Sequence, residues 1–234
     1  MTNQTIINQL IAKTYQELNN PERSRRTQSR SRVWQSPKGY RFLVPWSNSV
    51  LLRILIRKFT STLPRSEHRT KTQLDDAARS VVSNIEEGYK RATTSEYLQF
   101  LGYAQGSLEE IHGLVQQSLQ DKFLKSISDS SLQSLGIDLQ AWNLWARDPA
   151  HSLKILYFPL KSSSSSLKEA KGIYRNLEEL KDMDLTYEIF VELVNKTDYL
   201  LRVLVSSLET KLQINQKYYQ VEQARIKSRL KWQR

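Results

Sequence analysis

Catalysis in this chain would have to be carried by three histidines, His68, His112 and His151, or by the carboxylate pairs Asp75-Asp76, Glu86-Glu87, Glu109-Glu110 and Glu178-Glu179. The histidines lack His-Glu-x-x-His spacing, and the chain has no cysteine, so thiolate nucleophiles, disulfides and Cys-based zinc or iron–sulfur sites are all excluded. A di-iron bundle needs a Glu-x-x-His motif from each of two helices. Glu109-Glu110-Ile111-His112 supplies one, and no second copy exists. The helical ribonucleases that use Arg with four to six residues before His fit neither Arg147–His151 nor Arg65–His68, whose gaps are too short. No Gly-x-Gly-x-x-Gly and no Gly-Lys-Ser/Thr phosphate loop is present. The expectation is a protein without catalytic residues, metal ligands or cofactor.

Charge points elsewhere. Lys and Arg number 35 against 24 Asp and Glu, a formal charge of +11, which attracts polyanions over about a Debye length. The surplus is concentrated at both ends. Arg23, Arg25, Arg26, Arg30 and Arg32 face only Glu22 between Asn19 and Pro37. Lys217, Arg225, Lys227, Arg229, Lys231 and Arg234 face only Glu222 at the other end. Guanidinium and ammonium groups in such runs contact phosphates and give affinity with little sequence selectivity. Trp34, Tyr40 and Trp232 lie close enough in sequence to stack on bases. Nucleic acid is therefore the expected partner. The alternative is a protein partner held by Trp142, Trp145 and Phe158, which are rich interface anchors. Membrane binding is not expected: the longest apolar run, Val50–Ile56, is broken by Arg53, and Leu230 and Trp232 give the last segment too little apolar face. Met1-Thr2-Asn3-Gln4 does not begin a secretory signal, so a soluble cytoplasmic protein is expected.

The elements that position these residues read as helices. Only 7 Gly and 6 Pro occur in 234 residues, which disfavours a protein of many tight turns. Leu51, Ile54, Leu55, Phe59 and Thr62 recur at helical spacing over 47–62, with Pro64 as a stop. A second helix over 67–91 turns Leu74, Ala77, Ala78, Val81, Val82, Ile85 and Tyr89 to one side, its alanines admitting close approach of a neighbour. Thr93-Thr94-Ser95-Glu96 is a capping box opening a third helix that ends near Leu119. Leu132, Leu135, Leu139, Trp142 and Trp145 predict a further helix stopped by Asp148-Pro149. Ser162–Ser166 reads as a loop, 167–180 as a short helix, and a last long helix starts near Thr186. No strand pattern appears. The predicted division is a disordered basic arm over 1–38, a helical domain over 39–216 with an insert at about 121–180, and a basic helix or tail over 217–234.

The string Ala77-Ala78-Arg79-Ser80-Val81-Val82-Ser83-Asn84-Ile85-Glu86-Glu87-Gly88, then Ser95-Glu96-Tyr97-Leu98-Gln99-Phe100-Leu101, then Gly106-Ser107-Leu108-Glu109-Glu110, resembles a family of helical-bundle proteins. Its members include the proteins encoded in intervening sequences of bacterial 23S rRNA genes and the accessory variability determinants of diversity-generating retroelements. The stretch Asn195-Lys196-Thr197-Asp198-Tyr199-Leu200-Leu201 is similar to a variant with a C-terminal suffix region. The resemblance spans about 51–119 and, less closely, 186–234. It implies an all-α, up-down antiparallel four-helix bundle with additional helices, a homopentamer with a basic surface, and nucleic-acid or reverse-transcriptase binding.

On this pattern Arg79, Ser83, Asn84, Glu87 and Gly88 are structural. Gly88 is expected at the helix C-cap with φ > 0, Ser83 and Asn84 to bond across to the third helix, and Arg79 and Glu87 to brace neighbouring helices. Glu86 replaces the family's alanine, from which a more open, solvent-facing turn is expected.

Overall fold

The structure, a computed structural model, describes residues 36–147 and 184–231. Among these residues it is all-helical, with one isolated parallel bridge between Lys125 and Thr186 as its sole extended pairing. After a 3-10 turn at Gly39–Phe42 come α1 (Val44–Thr60), α2 (His68–Lys90), α3 (Thr94–Gln120), α4 (Leu139–Arg147) and α5 (Tyr187–Lys231). In the unit formed by Tyr40–Arg234, α1 packs on α2 and α5, and α3 packs on the same two. Each of the four long helices thus has two long neighbours, and α4 lies against α1.

Sequence accounts for each boundary. Pro45 occupies the first turn of α1, where its missing N–H costs nothing. The chain leaves α1 at Thr60, four residues before Pro64, and Pro64 is the extended residue that precedes a second 3-10 turn. The predicted capping box is present: Thr93 Oγ1 accepts from the Glu96 N–H at 3.1 Å while the Thr93 N–H donates to Glu96 Oε2 at 3.1 Å. At the other end of α3, Lys122 takes φ 65°, the Lys122 N–H donates to Leu119 O and the Phe123 N–H to Ser118 O. That pattern is a Schellman motif with a lysine where glycine is usual.

The core follows the 3.6-residue periodicity. Leu74, Ala77, Ala78, Val81, Val82 and Ile85 of α2 meet Leu101, Ala104, Leu108, Ile111 and Val115 of α3, all buried. Phe59 of α1 and Phe190 of α5 touch at 5.8 Å between ring centroids. The start of α1 is buried all round, Ser47, Asn48 and Ser49 included, because α4 covers the side that the other long helices leave open. Trp142 Nε1 donates to Ser47 O at 2.7 Å, and Ser47 Oγ bonds Asn143.

Three expectations change here. Leu132 and Leu135 lie in turns rather than in the helix of Trp142, which begins only at Leu139; Gly136, at φ 70°, is the left-handed residue that separates them. The last helix is continuous over 45 residues to Lys231, so the separate basic helix or tail expected from 217 is an extension of it, because nothing breaks its propensity beyond Leu212. Trp142 is fully buried and so presents no exposed anchor, while Trp145 is half-buried and packs on it at 5.3 Å. The arm 1–35, the Asp148-Pro149 stop, Phe158, the serine loop and the helix expected over 167–180 lie outside the described residues.

Candidate nucleic-acid interface

Two hydrogen bonds set the register of α1 against α2. Trp46 Nε1 donates to Glu86 Oε1 at 2.9 Å, and Thr60 Oγ1 donates to Asp75 Oδ1 at 2.9 Å. As index rises along α1 it falls along α2, so the helices run antiparallel. On α1 the edge between these clamps is Trp46, Val50, Arg53, Arg57, Thr60; on α2 it is Asp75, Arg79, Val82, Glu86. Both edges step by three and four residues, which keeps them on one helix face. Arg53 and Arg57 therefore sit opposite the turn of α2 that carries Arg79.

The electrostatics agree. Burial first, then the charges of Arg57 and Arg79, lower the pKa of the Arg53 guanidinium, with Asp75 and Glu86 opposing more weakly. Arg79 pairs with Asp76 of its own helix at 3.0 Å, both side chains more than half exposed, an ion pair of small net value. Arg53 and Arg57 have no ion pair among the described residues.

Beyond the Trp46 clamp lies an aromatic cluster. Tyr40 meets Trp46 at 5.4 Å and Tyr89 at 6.1 Å, and Tyr89 meets Tyr97 at 6.2 Å. Lys90 stands 5.4 Å over the Tyr40 ring and Arg91 stands 4.3 Å over Phe100. Burial, and then the charge of Glu86, raise the Tyr40 pKa against the opposing effect of Arg41. Arg41 is only 3% exposed, and its Nε and Nη1 have no hydrogen-bond partner among the described residues.

The motif residues behave differently from expectation. Gly88 is not a C-cap: α2 continues to Lys90 and ends at Arg91 in extended geometry. A Cβ at Gly88 would stand 2.8 Å from both Phe100 Cβ and Tyr97 Cδ2. Glycine is there because α3 comes this close. Glu86 opens nothing to solvent; it is half-buried and accepts the indole N–H of fully buried Trp46. Arg79 and Glu87 brace no neighbouring helix, since Arg79 pairs with Asp76 and Glu87 with Arg91 at 3.6 Å. Ser83 and Asn84 are half-buried and make no side-chain hydrogen bond to α3 among the described residues. Tyr40 is buried in the aromatic cluster and so has no free ring face for a base.

Residues 41–141, which run from this cluster into the first turn of α4, match the family described as 23S rRNA-intervening sequence protein. The segment belongs to that family. No curated protein and no solved structure matches the chain. The matched segment holds both α1/α2 clamps, Gly88 and, apart from Tyr40, the aromatic cluster.

Of the basic residues picked from sequence, Arg23, Arg25, Arg26, Arg30 and Arg32 fall outside the described residues. Arg225, Lys227, Arg229 and Lys231 lie on the last turns of α5, where the helix backbone is described and those side chains are not. Sequence reasoning missed the Arg53–Arg57–Arg79 seam. The i, i+4 spacing of Arg53 and Arg57 was visible; their meeting with Arg79 required the register of two helices. Among the described residues no group of three or more His, Asp or Glu could hold a metal, and no helix is long and apolar enough to cross a membrane.

Proposed function

We propose that the protein is a non-catalytic, self-associating scaffold that binds structured RNA or DNA through basic surfaces. In this reading α1, α2, α3 and α5 form an up-down antiparallel four-helix bundle, with α4 as an added cover. The observation that carries it is the overhang of α5. Leu208 is the last buried side chain among the described residues of this helix, yet the helix runs on to Lys231, roughly 35 Å further at 1.5 Å per residue. Apart from half-buried Leu212, the described side chains beyond Leu208 are exposed. From Lys217 onward the overhang carries Lys217, Arg225, Lys227, Arg229 and Lys231 against Glu222. A helix that gains little from the core and carries a run of cations suits a phosphate backbone. The basic arm containing Arg23 to Arg32 adds to the same field. If five copies assemble, as the resemblance implies, weak contacts from each sum by avidity.

A second reading is an accessory subunit for a protein partner such as a reverse transcriptase. The exposed Tyr199, Val203, Ile214, Tyr219 and Val221 of α5 favour it, since they offer apolar contact area.

The two separate on one experiment. Purified full-length protein is titrated into structured RNA and into duplex DNA at 50 and 200 mM salt, with solution mass measured alongside. Binding that weakens steeply with salt, and weakens again on deletion of 1–38 or 217–234, supports the nucleic-acid reading. No binding at 50 mM salt rejects it and leaves the protein partner.

A further inference from the structure

We propose that the α1/α2 seam between the Trp46–Glu86 and Thr60–Asp75 clamps is a phosphate-binding site, in which Arg53, Arg57 and Arg79 present their guanidinium groups to a phosphate oxyanion. The clamps are what make it a site. Each fixes one end of the seam by a 2.9 Å hydrogen bond, and each engages one of the two nearby carboxylates, Glu86 and Asp75, with a neutral donor. The arginines between them form no ion pair across the seam, and Asp75 and Glu86 offset the repulsion at Arg53 only in part. Arg79 reaches only Asp76 on its own helix. Arg53 is half-buried and Arg57 exposed, so the cluster has a sheltered floor and an open rim.

Like charges gathered on packed helices cost stability, and burial with the neighbouring Arg57 and Arg79 charges acts against the Arg53 cation. A phosphate removes the repulsion by accepting the forked N–H donors of more than one guanidinium, the geometry for which arginine is suited. Two sources carry this chemistry: the backbone phosphodiester of a nucleic acid, and a small free phosphate compound. The first rests on the function proposed above; the site itself does not.

The test compares full-length wild type with Arg57→Gln, with Arg53→Gln/Arg57→Gln, and with Arg69→Gln/Lys71→Gln. The last pair removes the same charge from the exposed start of α2, outside the seam. Circular dichroism confirms equal helicity, and the exposed Arg57→Gln guards against misfolding. Pyrophosphate is titrated against the melting temperature. Duplex DNA binding is followed as log K against log salt concentration.

Pyrophosphate is expected to raise the melting temperature of wild type and of the Arg69/Lys71 control, and to lose that effect in the seam variants. For DNA, each phosphate no longer neutralised makes the slope shallower by about 0.9, so the seam double variant should fall by roughly 2 and Arg57→Gln by roughly 1. A pyrophosphate effect with an unchanged DNA slope assigns the site to a free phosphate. If wild type does not bind DNA but the pyrophosphate difference holds, the nucleic-acid function fails and the site stands. Seam and control variants that behave alike in both readouts overturn the site.

Discussion

Trp46 and Glu86, 40 positions apart in sequence, are joined by one hydrogen bond of 2.9 Å from indole to carboxylate. The indole is fully buried, so its N–H needs an acceptor, and Glu86 is placed where the family pattern carries alanine. The glutamate satisfies a donor that alanine would leave bare.

Removing it should therefore cost more than a surface substitution. Glu86→Ala leaves the Trp46 N–H buried without an acceptor, a loss of about 1–3 kcal/mol. Glu86→Gln keeps an acceptor oxygen and should lose less than half as much. Urea unfolding of the two variants checks this; equal losses would mean the bond contributes nothing.

Gly88 gives a sharper test, because the two explanations for a glycine there predict different rankings. A left-handed cap tolerates asparagine better than alanine. Close approach of α3 rejects by size. With Phe100 and Tyr97 each 2.8 Å from a new Cβ, Gly88→Ala should destabilise by about 1–3 kcal/mol and Gly88→Asn by more. Thermal melts should show alanine above asparagine.

Acid should loosen the connection into α5. Burial alone would raise the Glu188 pKa, but hydrogen bonds from Ser126, from the Ile127 N–H at 3.0 Å and from Thr186 outweigh it and lower the value. A lowered folded pKa means the unfolded chain takes up protons first, so stability is present above the ordinary glutamate range and is lost as pH falls through the folded value. Glu96, held down by the Thr93 hydroxyl and backbone N–H, acts in the same direction. Melting temperature should fall as pH drops through and below the ordinary glutamate range, and less steeply in Glu188→Gln. An identical profile for the variant would remove Glu188 from the account.

The Thr93 cap has its own signature. Thr93→Ala should cost about 1 kcal/mol, near the usual value for a lost N-cap. Combined with Glu96→Ala, the loss should be less than additive, since each residue supports the other's hydrogen bond. Additive losses in a double-mutant cycle would show that the box is not reciprocal.

What sequence reveals here is what lies within one helix. The periodic faces of α1, α2 and α3, the Thr93–Glu96 box and the stop before Pro64 are local, and each was readable from residue types and spacing. What depends on two helices was not. Gly88 reads as a cap because it stands near a helix end, and only the nearness of Phe100 and Tyr97 reveals its role. Trp142 looks like an exposed anchor until α4 is seen lying over the start of α1. Arg53 and Arg79 are 26 positions apart, and the Trp46 and Thr60 clamps bring their edges together.

The most direct test of the proposed function is the salt dependence of nucleic-acid binding by the full-length protein. Log K for duplex DNA is measured between 50 and 200 mM salt, with the protein lacking residues 217–234 alongside. With at least four phosphates neutralised, the slope should be about −4 or steeper, and it should become shallower by several units when the basic end of α5 is removed. A flat dependence, or a slope unchanged by that deletion, would contradict the account.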